Sequence, residues 1–460
     1  MMRTVSRRGM LILLCIGLML VAGQAFAASI YISPTGNDTT GDGSIGSPYR
    51  TLAKAGSVAV AGDTVYARGG TYSASHENLA AYSGAAGNPI TFTNYPGEHA
   101  VFDGTGHTFT SGESILDLGN HVVVDGFEVK NNPAGSGIVA WEVHDVTISN
   151  CIVHEVWGAG ISVHGDHIVA EGNEVYRAVL MNENGKHGGG GWSCGIVSQR
   201  GDNADASTNI AFRNNYVHDV WGEGINTYCT DGFTTEGNTV MNAYSVNFYL
   251  DNARNGVVRN NISFTTPEGE HRLKGALPQG IGMASERYRG WTPVDDENIQ
   301  SYNNLIWRTS EGIRWWKDSA GYRNLKICHN TIIASERAGI QIDAGTNTSG
   351  NELQNNIVYG AYVNDDLSYW VTSNNDWPDG VPTIGSHPNS FAADPLFVNP
   401  VQSDIPNGFR LGGGSPCISA GASVGVTRDF FGTARDARPD LGFHEYADTS
   451  LHGDHKNGEK

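Results

Sequence analysis

Residues 215–262 read NYVHDVWGEGINTYCTDGFTTEGNTVMNAYSVNFYLDNARNGVVRNNI, and the pattern in this stretch decides the fold. Asn215, Asn238 and Asn261 stand 23 residues apart, and short apolar or β-branched runs follow them. A Gly-Ile pair begins nine residues after Asn215, at Gly224. A fixed period in the twenties, built from short β-type runs without helical periodicity, indicates a solenoid in which each repeat forms one coil.

The asparagine repeat extends over most of the chain. Two later intervals are 26 residues long, and intervals of 42 and 43 residues indicate coils with insertions. An inward asparagine at each bend can bond to the turn backbone of the coils above and below, so this ladder is predicted to be structural. The predicted ladder comprises Asn150, Asn173, Asn215, Asn238, Asn261, Asn304, Asn330 and Asn356.

The composition argues against several classes of partner. The formal net charge of −19 argues against a nucleic acid partner and against general attraction of a polyanion. An acidic substrate would therefore need a local basic patch or a bridging cation. The 60 glycines and the low charged fraction of 17% fit tight turns and flat stacked surfaces.

The N-terminus has the features of a secretory signal peptide. Three arginines precede an apolar run at 10–22, and Ala25-Phe26-Ala27 resembles a cleavage site. Ser6-Arg7-Arg8 is similar to a twin-arginine export signal. The apolar run is short for a membrane span, and no later stretch is long enough. The sequence therefore predicts a secreted or periplasmic protein without membrane insertion.

Five cysteines follow the predicted signal peptide. An odd number at irregular spacing fits neither a disulfide framework nor a zinc site. Cys151 and Cys328 are expected to pack as small buried residues. A disulfide between Cys194 and Cys229, across neighbouring coils, is left open.

Motifs at both ends of the chain carry a resemblance to a known superfamily. The N-terminal segment contains YISPTGND at 31–38 and GSPYRTLA at 46–53, and the C-terminal segment contains DPLF at 394–397 and RPDLG at 438–442. With the asparagine ladder, they resemble the secreted right-handed parallel β-helix superfamily of pectate-lyase-like proteins. The terminal segments are most similar to family 9 pectate lyase-like bacterial proteins. The resemblance implies an all-β chain that forms a single right-handed parallel β-helix of about ten coils.

The predicted organisation follows from the positions of these motifs and of the coils. Caps are needed because an open coil end exposes strand edges. The chain is predicted to be a monomer. The expected segments are a signal peptide at 1–27, an N-terminal cap and first coils at 28–89, the β-helix at 90–370, a C-terminal cap of loops and strands at 371–446, and a disordered tail at 447–460.

Two enlarged coils, which begin at Asn173 and Asn261, flank two plain coils. Long loops beside a flat β face make walls, so the floor between them is the predicted groove. The alternative is that these loops only shield the sheet. Alternation along each strand predicts two outward rows on the floor. The first row is Ser162, Val197, Asn226, Tyr249, Gly282, Arg314 and Gln341, and the second is His164, Gln199, Tyr228, Asp251, Ala284, Trp316 and Asp343.

The candidate site residues come from these rows and from the wall loops. Aromatic, amide and carboxylate groups suit a sugar-binding floor, because they offer stacking faces and partners for hydroxyl groups. Basic wall residues could hold a carboxylated sugar and abstract its C5 proton. Exposed polar ladders and solvated loop charges are the alternative. The predicted catalytic residues are Tyr249, Asp251, Lys274 and Arg314, and the predicted substrate-binding residues are His164, His187, Trp192, Asn226, Tyr228, His271, Arg272, Glu286 and Trp316.

A calcium ion is the one cofactor that the sequence brings into consideration. Glu223 precedes a Gly-Ile pair at the entry of a strand and Asp251 lies on the floor, so these two are the predicted metal ligands. Ca²⁺ takes several oxygen ligands. The alternative for Glu223 is that it faces water.

The leading functional hypothesis is an exported lyase that cleaves a uronate-containing polysaccharide by β-elimination. The resemblance to family 9 implies calcium held by clustered aspartates and a lysine base on a neighbouring coil. This sequence departs from that pattern. The groove coils carry Asp251 and Glu223 without an aspartate cluster, and Arg314 rather than lysine follows Gly-Ile.

Two alternatives come from other classes of protein. A glycoside hydrolase in the same groove needs a carboxylate pair, at ~6.5–9.5 Å in the inverting case. Asp251 and Asp343 would be ~14 Å apart, whereas Asp251 and Glu286 could approach ~8 Å. A non-catalytic glycan-binding or cell-surface protein would have a groove without clustered acid and base. All three hypotheses share a polysaccharide as the partner.

Overall fold

The computed structural model describes residues 27–188, 190–199, 205–269, 271, 273–287, 293–318, 320–333, 335–346, 348–365 and 369–447. The predicted signal peptide and the predicted disordered tail lie almost wholly outside the described residues. No helix among the described residues is long and apolar enough to cross a membrane.

The described chain forms a right-handed parallel β-helix, as predicted, in which the strands of successive coils build three parallel faces. On face 3, strands from eleven coils of the described chain stack in one sheet. The strands of face 3 are β3 (Gly70–Ser73), β6 (Ala100–Asp103), β9 (Glu128–Asn132), β11 (Ile152–Val156), β13 (Glu174–Tyr176), β16 (Tyr216–His218), β19 (Thr239–Met241), β22 (Ile262–Phe264), β25 (Leu305–Trp307), β29 (Thr331–Ile333) and β32 (Ile357–Val358).

Faces 1 and 2 are joined into a second sheet because β10 (Ile138–Ser149) and β12 (Ile161–Glu171) run around the corner between them. The other strands of face 1 are β4 (Glu77–Asn78), β7 (Leu116–Asp117), β14 (Cys194–Ser198), β17 (Glu223–Tyr228), β20 (Val246–Asp251), β23 (Gln279–Ala284), β26 (Glu311–Trp316), β30 (Ala338–Ile342) and β33 (Tyr362–Asn364). The other strands of face 2 are β1 (Ser29–Ile32), β2 (Thr64–Ala67), β5 (Ile90–Asn94), β8 (Val122–Asp125), β15 (Ser207–Arg213), β18 (Thr230–Glu236), β21 (Arg254–Arg259), β24 (Asp296–Tyr302), β27 (Tyr322–Arg323), β28 (Lys326–Cys328), β31 (Asn351–Gln354) and β34 (Trp370–Ser373).

Alternation along the strands fills the interior with apolar side chains. In β20 and β26 the inward residues Phe248, Leu250, Ile313 and Trp315 are at most 1% exposed. The glycine before the isoleucine is also required by packing. A Cβ on Gly224 would lie 2.3 Å from Val240 Cγ1 and 2.5 Å from the Asn247 carbonyl oxygen.

The asparagine ladder is present, and the prediction of its first member is wrong. Asn173, Asn215 and each later member accept a hydrogen bond through Oδ1 from the backbone N–H of the preceding rung. Asn150 is instead an exposed residue in the left-handed conformation, with φ 53°. In this coil Cys151 occupies the ladder position, and its N–H donates to Asn173 Oδ1. Asn375 extends the ladder at the other end.

Both ends of the solenoid are covered. Helix α1 (Leu52–Gly56) begins after Thr51, whose side chain accepts from Lys54 N–H, and its buried face closes the first coils. Short 3₁₀ helices lie at Leu180–Gly185, Gln402–Asp404 and Asn407–Phe409. Near the C-terminus the chain runs back along the corner between faces 2 and 3. There it bonds to the side chains of Asn303, His329, Asn355 and Asn374.

The five cysteines of the described residues are free and buried, so Cys194 and Cys229 do not form a disulfide.

Candidate functional site

A cleft of about 560 Å³ lies on face 1, between the two enlarged coils. The first wall is the loop that leads into β14, and the second is the loop that leads into β23. The cleft is lined by Trp141, Gly190, Gly191, Trp192, Ser193, Cys194, Val197, Gln199, Glu223, Asn226, Tyr228, Ser245, Val246, Tyr249, Asp251, Leu273, Gln279, Glu286 and Trp316.

The strand register confirms the two predicted rows across the central coils. Asn226 pairs with Tyr249, which pairs with Gly282, and Tyr228 pairs with Asp251. Gly282 leaves room for the Trp316 ring on the floor, because a Cβ at position 282 would lie 2.8 Å from the indole ring. Trp316 therefore lies flat over Tyr249, with ring centroids 5.0 Å apart.

The two walls are tied together on the same side of the solenoid by aromatic contacts. Tyr244 packs between Trp192 of the first wall and Trp221, at centroid distances of 5.4 and 6.0 Å. His271 of the second wall stacks on Trp221 at 4.0 Å. Burial lowers the pKa of His271. Its ring is therefore a neutral packing element near neutral pH.

Asp251 is the most deeply buried acid of the cleft, with 2% of the residue exposed. Its Oδ1 accepts hydrogen bonds from Asn252 Nδ2 at 2.7 Å and from Glu286 N at 3.3 Å. Burial first, and then the charges of Glu286 and Asp296, raise the pKa of Asp251 well above its usual range. The surroundings of Asp251 therefore favour the protonated form of its carboxyl group.

Glu286 lies beside Asp251 and is more open to solvent. Trp316 Nε1 donates to its Oε1 at 2.8 Å. Burial raises the pKa of Glu286, while hydrogen bonds from Trp316 and Tyr249 stabilise the charged form and oppose that rise. The sequence places these two acids one coil apart, and the structure brings them together.

Glu223 forms the third acidic group, at the edge of the floor. Its Oε1 accepts from Trp192 Nε1 at 3.0 Å, and its Oε2 accepts from the Cys194 thiol at 3.0 Å and from Asn226 Nδ2 at 3.2 Å. Burial, and to a smaller extent the charge of Glu286, raise the pKa of Glu223.

Two amide oxygens of the lining are ready to accept hydrogen bonds. Among the described residues, Asn226 Oδ1 and Gln279 Oε1 are buried and have no hydrogen-bond donor. A buried acceptor without a donor costs free energy, and a ligand hydroxyl group could supply the missing bond.

Several predicted site residues lie outside the cleft lining. Lys274 is exposed at the tip of a tight turn closed by the Leu273–Ala276 bridge, with φ 52°. Arg314 lies on the floor row but contacts Glu311 at 3.3 Å and Asp343 at 3.9 Å. His187 is an exposed residue of the first wall. Arg272 lies outside the described residues.

His164 is buried next to the cleft but does not line it. Its Nε2 lies 3.2 Å from the Asp205 carbonyl oxygen, and its ring packs against Trp141 at 5.0 Å. The prediction of a basic site is therefore not met within the described lining, which contains three carboxyl groups and no Lys, Arg or His.

The described residues do not fit a calcium site at Glu223 and Asp251. Ca²⁺ takes six to eight oxygen ligands that are free to face the ion. Both oxygens of Glu223 and one oxygen of Asp251 already accept hydrogen bonds from donor groups aimed at them. Neither residue belongs to a group of three potential ligands within the described chain.

Trp141 and Gln279 are among the lining residues that sequence reasoning missed. Trp141 pairs with His164 and so extends the second row by one coil. Gln279 precedes Gly280-Ile281, just as Glu223 precedes Gly224-Ile225. This shared position was a usable signal, because equal places in successive coils stack into one column.

The comparisons with known proteins agree with the architecture. The model of the Pel9A-like right-handed beta helix region matches residues 30–241. The uncharacterized protein YwoF of Bacillus subtilis (strain 168) is 28% identical over 372 residues, which cover 77% of this chain and 75% of YwoF. The pectate lyase PEL9 of Emericella nidulans is 40% identical over 78 residues, which cover 17% of this chain and 19% of that enzyme.

The crystal structure of the pectate lyase Pel9A superposes with a TM-score of 0.55 at 16% identity, and covers 92% of this chain and 98% of that one. A likeness at this identity concerns the fold. The chain therefore has the right-handed parallel β-helix fold, and its residues 30–241 match the model of the Pel9A-like right-handed beta helix region.

Proposed function

We propose that this protein is a carbohydrate-active enzyme that hydrolyses a glycosidic bond in an uncharged stretch of a polysaccharide. The observation that carries the proposal is the cleft itself. Its described lining combines three carboxyl groups of raised pKa with tryptophan and tyrosine rings and no cationic side chain. Aromatic faces bind sugar rings, while a uronate carboxylate would find no cationic partner in the described lining and would be repelled by the carboxylate form of Glu286.

Asp251 and Glu286 are assigned the two roles of glycoside hydrolysis. One carboxyl must donate a proton to the leaving oxygen, and the other must act as a carboxylate on the sugar or on water. Asp251 suits the donor role because burial and the neighbouring charges raise its pKa and so favour the protonated form. Glu286 suits the carboxylate role because Trp316 and Tyr249 stabilise its charge. Asn226 and Gln279 would accept hydrogen bonds from sugar hydroxyl groups.

The test is to incubate the purified protein with neutral glycans, pectate and alginate, with and without Ca²⁺, and to record reducing ends and absorbance at about 235 nm. We expect new reducing ends from a neutral glycan without unsaturated products. Asp251→Asn and Glu286→Gln should each lower kcat by about 10²–10⁴-fold, as for loss of a general acid or base.

Asp343→Asn is the matched control, because Asp343 belongs to the same row but lies outside the cleft lining. That variant should keep full activity. Equal loss in all three variants, with folding intact, would contradict the assignment of Asp251 and Glu286.

A β-elimination lyase is the second candidate, and the match to the Pel9A-like region together with the pectate lyase PEL9 favours it. Under this alternative, absorbance at about 235 nm would rise with pectate and Lys274→Ala would abolish the rise. If no substrate gains new ends while the protein is retained on a glycan gel, the protein is a binder and both enzymatic proposals fail.

A further inference from the structure

A second group of convergent side chains lies on the corner between faces 1 and 2, in the N-terminal coils, and shares no residue with the described lining of the cleft. It consists of His121, His144 and Asp145. One potential ligand atom from each of them lies within 4.8 Å of the other two. It is the one such group found among the described residues.

The backbone brings these side chains together. Val122 pairs with Val146, so His121 and Asp145 occupy equal places in successive coils. Both are in the left-handed conformation, with φ 51° and 56°. This conformation is uncommon for residues other than glycine. Coils in a parallel sheet are ~4.8 Å apart, which places the two side chains next to each other.

Two imidazole rings face the same carboxylate oxygen. His144 Nδ1 lies 2.9 Å and His121 Nδ1 lies 3.3 Å from Asp145 Oδ2. The two rings meet edge to face, with centroids 4.6 Å apart. His144 is further fixed because its backbone N–H donates to Asn120 Oδ1 at 2.9 Å.

The surroundings leave room for more ligands. His121 and Asp145 line a cavity of about 290 Å³, together with Val123, Thr147 and His167. His167 follows Asp145 in the same corner column. A cavity of this size admits water molecules.

We propose that His121, His144 and Asp145 form a binding site for a divalent transition-metal ion, with Zn²⁺ as the best match. Two imidazole nitrogens and one carboxylate oxygen suit Zn²⁺, which binds nitrogen and oxygen ligands at ~2.0–2.2 Å and completes four-coordination with water. Ca²⁺ and Mg²⁺ prefer oxygen ligands, so this site selects against them. The bound ion would cross-link two adjacent coils.

The experiment uses the full chain without a polyhistidine tag, stripped of metal and titrated with Zn²⁺ against a chromophoric chelator. We expect one equivalent bound by the wild type. His121→Ala and His144→Ala should each weaken binding by about 100-fold or more. Thermal unfolding of the wild type should shift upward with Zn²⁺, and the shift should vanish in both variants.

His99→Ala is the matched control, because His99 also pairs with a carboxylate, Glu128, at 2.9 Å but belongs to no such group. It should bind Zn²⁺ as the wild type does. Binding that is equally tight in the two site variants, or no binding by the wild type, would overturn the proposal. Co²⁺ substitution adds an independent readout: a tetrahedral d–d spectrum supports the site, and an octahedral aquo-ion spectrum contradicts it.

Discussion

Asp251 and Glu286, the two central acids of the cleft, differ in how their surroundings change their pKa values. Glu286 is the second cause, after burial, of the raised pKa of Asp251. If Glu286→Gln removes that negative charge, the ionised form of Asp251 becomes less unfavourable and its pKa falls. We expect a carboxyl-carbon NMR titration to show Asp251 losing its proton at lower pH in the variant. An unchanged Asp251 titration would mean that the two carboxyls do not interact, and Asp343→Asn supplies the baseline.

Asp296 lies behind the cleft and couples the stability of the fold to pH. It is fully buried, accepts from Trp315 Nε1 at 3.0 Å, and burial raises its pKa to about 8. The folded state therefore holds this proton between the ordinary pKa of 3.8 and about 8, whereas the unfolded chain releases it. Its contribution to stability is fully present below pH 3.8 and is lost as the pH rises towards about 8.

We predict that wild-type stability falls between about pH 5 and pH 8.5, and that Asp296→Asn, which cannot ionise, reduces this fall by several kcal/mol. Urea unfolding at the two pH values measures the difference. The same pH dependence in both proteins would show that Asp296 is ionised in the native state throughout.

At the level of the coil, the glycine that begins each Gly-Ile pair is a packing requirement. We predict that Gly224→Ala destabilises the protein by about 1–3 kcal/mol, because the new methyl group must displace Val240 or the backbone at Asn247. Gly46→Ala is the control, since nothing lies within 4 Å of a Cβ at that position. Chemical denaturation compares the two variants. Equal stabilities would show that the coil expands without cost.

The positions of side chains in a coil can be predicted from the sequence where the coil follows the regular repeat. The period fixes the register, so the floor rows with Asn226, Tyr249 and Asp251 could be predicted from the sequence alone. The residues at the corner between faces 2 and 3 were harder to predict. In many coils an asparagine or glycine in the left-handed conformation directly precedes the ladder asparagine, as at Asn214-Asn215. Asn150 is the left-handed residue at its corner, but the ladder position beside it is occupied by Cys151. The predicted ladder is therefore displaced by one residue in this coil.

The wall loops could not be predicted in the same way, because insertions lack the period that fixes positions. The sequence indicates where the walls begin but not which side chains turn inward. Lys274 is therefore found at an exposed turn, while Trp192 reaches Glu223. The raised pKa of Asp251 depends on its burial in the folded cleft, so the acidic character of the cleft emerges only in three dimensions.

For the molecule as a whole, the net charge of −19 and the acidic cleft predict how salt affects binding. The KM for a neutral glycan should change little with added NaCl, and affinity for polygalacturonate should improve because salt screens the repulsion. A lyase that recruits uronate through basic groups would show the opposite trend. Initial rates and gel retention at low and high salt distinguish the two.

The C-terminal segment that bonds to four successive corners also gives the solenoid a mechanical polarity. Arg435 adds a buried ion pair to Glu445 at 2.9 Å and a bond to Asn303 at 3.0 Å, so this segment acts as a strap across the last coils. Coils under the strap cannot separate one at a time, because the strap bonds to all of them. Detaching one coil therefore also breaks bonds between the strap and the neighbouring coils. Unzipping under force should therefore start from the N-terminal rungs, and the strapped end should give way last and all at once.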